Sequence, residues 1–359
     1  MIKLLHFRIL LICVSLVLLH ACRAGSALPT LIPTTYSAPA TSAFSKTEAA
    51  TLNSILKLDE YPLYTMTYVG AYSHAATLRQ NHPASEARST LNPYTCSADW
   101  GCSLFASLGD EGSRFYGRNF DWQYSPAVLL FTDPPDGYAS VSMVDITYLG
   151  FDGERARHLA DLPLEERRNL LGAPSLPFDG MNETGLAVGM AAVPSGGMQT
   201  DPRKETVDQL EVIREVLDHA ATVDEAVALF GRYNIDMGTV PIHYLVASAA
   251  GESALVELYQ GKLVVFRNET TWQQATNFLV ASTNGDPAGE CPRYDLINDR
   301  LGEANGQITA QEGLRLLSDV SQGNTQWSVI YNLTGGSVDI VMGRDYSAVH
   351  TLHLDLEEE

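Results

Sequence analysis

The sequence predicts an α+β protein in which sheets and helices form separate layers. Short β-prone runs follow one another between residues 103 and 192, two helical patterns fill 207–232, and more β-prone runs occupy 242–282. Strands and helices that come in blocks favour such a layered domain over a doubly wound parallel sheet. The chain has 359 residues, of which 45% are hydrophobic and 18% charged, so it can fill a substantial core.

The N-terminus predicts an export signal over residues 1–21. Lys3 and Arg8 supply its positive charge, and residues 9–19 are apolar except for one Ser. This apolar run is shorter than the roughly 20 residues that a helix needs to span a bilayer. The signal is therefore expected to be removed.

A lipid anchor is the second prediction for this region. Leu19-His20-Ala21-Cys22 resembles a bacterial lipobox, in which Cys22 would be lipidated and become the mature N-terminus, although His20 replaces the usual small residue. Plain secretion is the alternative. Residues 22–46 are predicted to be a flexible tether, since 24–45 are uncharged and rich in Ser, Thr, Ala and Pro. The protein is thus expected to be exported and membrane-anchored, facing the periplasm or the cell exterior.

Charge and cysteine content exclude several classes of function. The chain carries 43 acidic and 23 basic residues, a formal net charge of −20, which argues against a nucleic-acid partner or a basic membrane-binding patch. The cysteines are too few for a disulfide scaffold and lack the spacing of a zinc site. They are Cys13, Cys22, Cys96, Cys102 and Cys291.

The periodicity of apolar residues predicts the individual elements. Helices are predicted at 47–58, 207–219, 223–232 and 310–320. Strands are predicted within 61–72 and at 103–108, 114–119, 127–131, 139–144, 186–192, 242–248, 254–259, 262–266, 278–282, 327–333 and 338–342. Two helices should begin with capping boxes, Thr222 with Glu225 and Thr309 with Glu312.

A β-hairpin is predicted around Cys102. Residues 109–112, Gly-Asp-Glu-Gly, form a turn signal between two β-prone runs. If Leu108 pairs with Ser113, then Cys102 lies opposite Asn119, which brings Arg118 and Asp121 near the thiol. Because these two residues are three apart, regular alternation would place them on opposite faces, so the strand must end or bulge there.

This cluster indicates a reactive cysteine. A guanidinium beside a thiol favours the nucleophilic thiolate, and a carboxylate can orient the group that takes the proton. The alternative is that Cys102 is a buried inert thiol, or is bridged to Cys96, with Arg118 and Asp121 as an ordinary ion pair. The papain-like signature is absent. His219 and His243 are interpreted as structural, so no histidine is assigned as the base.

Several motifs together resemble the N-terminal nucleophile hydrolases of the choloylglycine hydrolase group, a linear amide C–N hydrolase family. The group includes bile salt hydrolases, penicillin V acylases and the related N-acylethanolamine acid amidase and acid ceramidase. The resemblance lies in Gly117-Arg118-Asn119-Phe120-Asp121, Asp179-Gly180-Met181-Asn182-Glu183-Thr184-Gly185-Leu186, Thr283-Asn284, Pro292-Arg293-Tyr294 and Thr325-Gln326-Trp327.

The resemblance implies a four-layer αββα sandwich and a cysteine-dependent amidase. Cys102 would be both nucleophile and chain N-terminus, its α-amine acting as general base, with Arg118 and Asp121 setting the charge around it. Asn182 and Asn284 would stabilise the oxyanion, and Arg293 would add a positive group; the alternatives are a turn residue for Asn182 and a surface helix start for Arg293. The substrate would be a small linear N-acyl amide, hydrolysed through a thioester without metal or organic cofactor.

The long N-terminal region departs from the bile salt hydrolases, which begin almost at the cysteine. The α-amine of Cys102 is therefore freed only if the bond between Gly101 and Cys102 is cleaved. This layout resembles the amidase and ceramidase branch, in which self-cleavage leaves an N-terminal chain associated with the catalytic chain. Residues 47–101 would then be a pro-region or a separate N-terminal chain, and 102–359 the catalytic domain. Cys96 and Cys291 could form a disulfide or remain free thiols. Acyl transfer to an amine, or a catalytically silent binding lipoprotein, are the alternative functions.

Overall fold

The computed structural model describes residues 43–72, 101–238 and 240–357. The predicted signal, Cys22, Cys96 and nearly all of the tether lie outside the described residues. Within them, the helices are too short and too polar to cross a bilayer. The described residues from Phe44 onward belong to one compact unit.

The described elements alternate between blocks of strands and blocks of helices. The helices are α1 (Lys46–Asn53), α2 (Gly153–Arg157), α3 (Leu164–Arg167), α4 (Glu211–His219), α5 (Val223–Arg232), α6 (Pro292–Glu303) and α7 (Ala310–Asp319), with 3-10 turns at Ile146–Leu149, Leu159–Asp161, Arg168–Ser175 and Val280–Ser282. The strands are β1 (Leu56–Asp59), β2 (Leu63–Thr67), β3 (Gly101–Ser107), β4 (Phe115–Asp121), β5 (Ala127–Thr132), β6 (Ser140–Asp145), β7 (Asp179–Asn182), β8 (Leu186–Ala192), β9 (Thr206–Asp208), β10 (Asn234–Asp236), β11 (Ile242–Ser248), β12 (Ser253–Tyr259), β13 (Lys262–Arg267), β14 (Trp272–Ala275), β15 (Thr325–Asn332), β16 (Ser337–Met342) and β17 (His350–His353).

Two large sheets pack face to face between layers of helices. One has nine strands in the order β1-β2-β5-β6-β7-β8-β11-β12-β13, and the other has six in the order β14-β3-β4-β15-β16-β17. Helices α4 and α5 cover the outer face of the nine-stranded sheet, and α6 and α7 cover that of the six-stranded sheet. The αββα sandwich predicted from the sequence is confirmed.

The six-stranded sheet separates two hydrophobic clusters. Leu104 and Ala106 of β3 face the core between the sheets, whereas Phe105 packs with Ile297 and Leu317 beneath α6 and α7. This alternation is the ordinary two-residue period of a strand buried on both faces. Cys102 has the same parity as Leu104 and therefore faces the space between the sheets.

The predicted hairpin is present, but its register differs by one residue. Cys102 pairs with Phe120 rather than Asn119, and Gly101 pairs with Asp121. The cause lies at the turn, where the amide of Leu108 donates to the carbonyl of Thr271 instead of to the opposite strand. A one-residue shift exchanges the two faces of a strand, so Arg118 lies on the same face as Cys102.

The expected irregularity near Asp121 is also found. Strand β4 ends at Asp121, and the bulge falls in the neighbouring strand β15, between Thr325 and Trp327. Asp121 therefore faces away from the inter-sheet core but remains at the end of the strand that carries Arg118.

Most predicted elements are confirmed, and three are corrected. Both capping boxes form, and α5 begins and ends as predicted. The helix predicted at 47–58 ends at Asn53, because the chain turns at Ser54 to start β1. The helix predicted at 207–219 starts only at Glu211, and the strand predicted at 278–282 is a 3-10 turn. Residues 206–208 pair with β10 instead of joining the helix, and the amides of Val280 and Ala281 donate to the carboxylate of Glu257 instead of to a neighbouring strand.

The N-terminal segment is built into the nine-stranded sheet. Strand β2 pairs in parallel with β5, and its residues Leu63, Tyr64 and Met66 are fully buried. The hydroxyl of Tyr61 donates to Oε1 of Gln326 at 2.5 Å. Residues 44–72 are thus an integral part of the core rather than a separate appendage.

Candidate active site

Cys102 stands at the start of a buried strand with a cation beside its thiol. It is the second residue of β3 and is only 2% exposed. Nη2 of Arg118 lies 3.6 Å from Sγ of Cys102. The hairpin register makes this contact, since Arg118 is opposite Leu104 and therefore shares a face with Cys102.

A buried network holds Arg118 in place. Its Nη1 donates to Oδ2 of Asp179, and both side chains are inaccessible to solvent. The hydroxyl of Tyr331 donates to Oδ1 of Asp179 at 2.5 Å, and Nε1 of Trp327 donates to Oδ2 at 3.4 Å. A buried ion pair requires such additional hydrogen bonds to offset the loss of hydration. The guanidinium is therefore fixed in orientation beside Sγ.

Opposing effects act on the thiol. Burial raises the pKa of Cys102, Arg118 lowers it, and Asp121 raises it. A hydrogen bond from the backbone of Asp121 lowers the pKa as well. Because burial is the largest effect, the thiol needs a base that takes its proton before it can act as a nucleophile.

Asp121 lies at the end of β4 and is held by two neutral donors. Oγ1 of Thr325 donates to Oδ1 at 2.5 Å, and Nε2 of Gln322 donates to Oδ2 at 2.7 Å. Nη1 of Arg293 lies 3.8 Å from Oδ2. Asp121 is completely buried, so its carboxylate adds a fixed negative charge beside the main chain of Cys102.

Arg293 donates hydrogen bonds to the segment around Cys102. It is the second residue of α6, and its Nη1 donates to the carbonyl of Cys102 at 2.6 Å and to Oγ of Ser103 at 2.8 Å. Its Nη2 donates to Oδ1 of Asn277 at 2.7 Å. Burial lowers the pKa of Arg293, an effect that Asp121 opposes. Arg293 therefore lies against the main chain of Cys102.

Asn277 is a site residue that sequence reasoning missed. Its Oδ1 accepts from the backbone nitrogen of Cys102 at 2.9 Å as well as from Arg293, and its Nδ2 donates to the carbonyl of Ala192 at 2.8 Å. The available signal was the dipeptide Thr276-Asn277, which has the same letters as Thr283-Asn284 seven residues later. The pairing of β14 with β3 selects the first of the two.

Asn284 is not brought to Cys102. It is exposed and adopts a positive φ of 55°, as a turn residue does, after the 3-10 turn Val280–Ser282. Asparagine tolerates this left-handed region better than most residues. We therefore assign Asn284 a turn role.

Asn182 is buried but its amide is committed elsewhere. Nδ2 donates to the carbonyls of Leu217 and Ala220, and Oδ1 accepts from Oγ1 of Thr184 and from the amide of Leu186. Both amide hydrogens are used, so none remains for an oxyanion. The geometry matches the alternative weighed from the sequence, a residue that fixes the turn between β7 and β8.

The remaining candidates take structural positions. His243 is buried, with Nδ1 3.2 Å from Oε1 of Glu257 and Nε2 2.8 Å from the carbonyl oxygen of Thr276. It therefore anchors the backbone next to Asn277. Cys291 is buried and disulfide-bonded, whereas Cys96, for which the sequence left a disulfide to Cys291 and a free thiol as alternatives, lies outside the described residues. Within 43–72, 101–238 and 240–357, no cluster of three or more His, Cys, Asp or Glu side chains could hold a metal ion.

A cavity of about 380 Å³ adjoins Cys102. Aromatic and aliphatic side chains dominate its wall; Phe120 lines it from the strand that carries Arg118, and Trp122 from the position directly after that strand. Gly101 and Cys102 also line it, although Cys102 is otherwise buried. A small apolar molecule in this cavity would lie against the thiol.

Comparison with known proteins identifies what the chain is similar to. Residues 164–284 match the model of the linear amide C-N hydrolases, choloylglycine hydrolase family. The fold resembles two variants of the conjugated bile acid hydrolase from Clostridium perfringens, each with a TM-score of 0.52. Identity is 17% and 16%, over 72% of this chain and 93% or 94% of the other. Penicillin V acylase from Agrobacterium tumefaciens aligns with a TM-score of 0.49, at 16% identity, over 72% of this chain and 88% of the acylase. No curated protein sequence matches the chain significantly.

Proposed function

We propose that Cys102 is the nucleophile of this chain, a linear amide C–N hydrolase of the choloylglycine hydrolase family and of the N-terminal nucleophile type. The observation that carries the proposal is the position of its Sγ, 3.6 Å from the buried guanidinium of Arg118 and at the wall of an apolar cavity. A structural cysteine needs neither the cation nor access to a cavity.

The enzyme is activated by cleavage of the bond between Gly101 and Cys102. Sγ attacks the carbonyl carbon of Gly101, the peptide C–N bond breaks as the nitrogen takes the thiol proton, and water hydrolyses the resulting thioester. Gly101 then ends in a carboxylate and Cys102 begins with an amine. Asn277 and Arg293 hold the nitrogen and carbonyl of Cys102 while this bond is exchanged.

The freed α-amine of Cys102 supplies the missing base. Its reference pKa is about 7.7 to 8.0, so a useful fraction is neutral near pH 7. The amine takes the thiol proton, Sγ bonds to the acyl carbon, and the amide C–N bond breaks as the proton passes to the leaving amine. Water, deprotonated by the same amine, then hydrolyses the thioester and releases the acid. Asn277 keeps the amine oriented toward Sγ throughout.

The N-terminal segment stays bound after cleavage. Strand β2 lies inside the nine-stranded sheet, and full burial of side chains such as Leu63, Tyr64 and Met66 is worth roughly 1.5 to 3 kcal/mol each. We therefore expect an N-terminal chain associated with the catalytic chain rather than a discarded pro-region.

The test compares wild-type protein with Cys102→Ala and Cys22→Ser. Turnover is measured on a panel of N-acyl amides with apolar acyl groups, and chain masses are measured by mass spectrometry. We expect two fragments and turnover in the wild type and in Cys22→Ser, and neither in Cys102→Ala. Equal turnover by Cys102→Ala would end the nucleophile assignment, and full activity of an uncleaved chain would end the activation step.

The same experiment separates the alternative functions. Adding a free amine as acceptor would divert the product to a new amide if the protein were an acyltransferase, whereas a silent binding protein would show no turnover. We also propose that the protein is exported and anchored through Cys22. Metabolic labelling with a fatty-acid analogue should mark the wild type but not Cys22→Ser.

A further inference from the structure

Gln326 is the extra residue of the bulge in β15, next to the end of β4. Thr325 and Trp327 pair with consecutive residues of β4, so Gln326 has no partner of its own in that strand. A bulge of this kind changes the direction of the side chains at its position and is common beside active sites. Gln326 is only 5% exposed, so its amide must find hydrogen-bond partners inside the protein.

The amide of Gln326 holds the loop that follows β4. Its Nε2 donates to the carbonyl of Trp122 at 2.8 Å and to that of Asn324 at 2.6 Å. Its Oε1 accepts from the amide of Ser125 at 3.0 Å. Trp122 lines the cavity beside Cys102. Gln326 therefore fixes the main chain at two points of a loop that carries part of the cavity wall.

Tyr61 of the N-terminal segment supplies the fourth hydrogen bond of this amide. Its hydroxyl donates to Oε1 of Gln326 at 2.5 Å. Burial, Tyr124 and Asp145 raise the pKa of Tyr61 to about 12, so the hydroxyl keeps its proton and remains a donor. Both amide hydrogens and both acceptor positions of Gln326 are thus in use. A reversed amide would place Oε1 against two carbonyl oxygens, so the observed orientation is the favourable one.

The ring of Tyr61 packs independently of its hydroxyl. It lies against Gly343, where an added Cβ would come within 2.7 Å of the ring, and its centroid is 5.7 Å from that of the Tyr124 ring. The amide of Gly343 donates to the carbonyl of Gln326 at 2.8 Å, which keeps the two segments together. Removing the hydroxyl alone should therefore leave the ring in place, so the hydrogen bond can be tested apart from the packing.

We propose that Tyr61 and Gln326 are positioning residues of the substrate site, in which Gln326 holds the cavity wall at Trp122 and Tyr61 holds Gln326. The inference rests on the proposed function, because it takes the cavity as the place where the N-acyl amide binds and residues 44–72 as part of a separate chain after cleavage. It goes further in making the N-terminal chain a part of the substrate site, since that chain supplies the donor that completes the amide of Gln326.

The first test observes Trp122 without any substrate. The cleaved protein is labelled with a fluorinated tryptophan, and the fluorine NMR signal of Trp122 is identified by its absence in Trp122→Phe. We expect Tyr61→Phe to shift or broaden this signal. The signal of Trp272, whose Nε1 donates to Oδ1 of Asn298 in α6, should stay unchanged.

A neighbouring tyrosine supplies the matched control. The hydroxyl of Tyr64 donates to the carbonyls of Ala156 and Arg157 at 2.7 and 2.8 Å, and neither of these residues lines the cavity. Tyr64→Phe therefore also removes a buried tyrosine hydroxyl from the N-terminal chain. It should leave the Trp122 signal and the KM unchanged.

The second test is kinetic and uses the N-acyl amide that the wild type hydrolyses fastest. Tyr61→Phe should raise KM about three- to ten-fold, the size expected for one hydrogen bond, and leave kcat within about two-fold. The effect on kcat is small because Asp121 keeps its bonds to Thr325 and Gln322. In a Gln326→Ala background Tyr61→Phe should add no further increase, because residues that act through one contact are not additive.

The outcomes separate this inference from the proposed function. An unmoved Trp122 signal in Tyr61→Phe, an equal change in Tyr64→Phe, or an unchanged KM would overturn the positioning role. A loss confined to kcat, or one that adds in full to that of Gln326→Ala, would overturn it as well. A Trp122 signal that moves in a protein whose wild type hydrolyses none of the amides would retain the hold on the cavity wall and count against the amidase. Turnover with an unmoved signal would do the reverse.

Discussion

Replacing Arg118 with Gln should make the Cys102 thiol harder to ionise. The guanidinium stabilises the thiolate from 3.6 Å away, so its removal raises the thiol pKa and lowers the thiolate fraction at any pH below that value. The hydrolysis rate should fall with it, because the thiolate is the attacking species.

The size of the effect follows from the distance. Two unit charges 3.6 Å apart interact by about 4.6 kcal/mol at an effective dielectric constant of 20, which favours the thiolate by roughly a thousand-fold. The Asp179 carboxylate on the other side of the guanidinium cancels part of this field. We therefore expect the thiol pKa to rise and the rate of alkylation below that pKa to fall by about ten- to hundred-fold, within the range typical of losing a nearby opposite charge.

The assay is the pH dependence of alkylation of Cys102 by iodoacetamide, followed by peptide mass spectrometry. The control is Arg214→Gln, since Arg214 is equally buried and is paired with Asp218 at 3.0 Å, but its guanidinium bonds to Pro174, Ser140 and Ser142 rather than to Cys102. Both variants lose a buried ion pair and should be destabilised by about 3 to 5 kcal/mol. Only Arg118→Gln should shift the alkylation profile. An unshifted profile, or an equal shift in both variants, would refute the role of Arg118 at the thiol.

Two further predictions concern the main chain of Cys102. Gly101→Ala should slow cleavage, because the added Cβ would meet the side chain of Gln322 and lie 3.0 Å from Oδ1 of Asn277. The rate of cleavage is measured by time-resolved electrophoresis, and cleavage at the wild-type rate would contradict the prediction. Asn277→Ala should lower kcat about ten- to hundred-fold. The substitution removes Oδ1 and with it two hydrogen bonds, one of them from a charged donor. Asn284→Gly, which suits the positive φ, should stay within about two-fold, and similar losses in both variants would argue against the assignment.

Local interactions were predicted well from the sequence. The capping boxes of Thr222 and Thr309 each bond within a few residues, so α5 and α7 begin where their sequences predict. The hairpin around Cys102 was predictable because its turn and both strands are close together in the sequence. The family resemblance was visible because contiguous motifs such as 117–121 carry it. The αββα fold follows from that resemblance and is confirmed.

Long-range contacts decided the register of the hairpin and which asparagine lies beside Cys102. The register of the hairpin differs by one residue because Leu108 bonds to Thr271, which is far away along the chain. Asn277 rather than Asn284 contacts Cys102, because β14 pairs with β3 and ends just before it. No local pattern distinguishes the two Thr-Asn dipeptides, so only strand pairing could choose between them.

The sequence by itself determined that Cys102 lies in a hairpin with Arg118 and Asp121. It also showed that Arg293 lies in one of the segments that carry the family resemblance. Tertiary structure alone decided that Arg118 shares a strand face with Cys102, that Asp179 holds its guanidinium there, and that a largely apolar cavity adjoins the thiol. The physical reason is that side-chain direction alternates with each residue of a strand, so a one-residue difference in pairing exchanges the groups that meet.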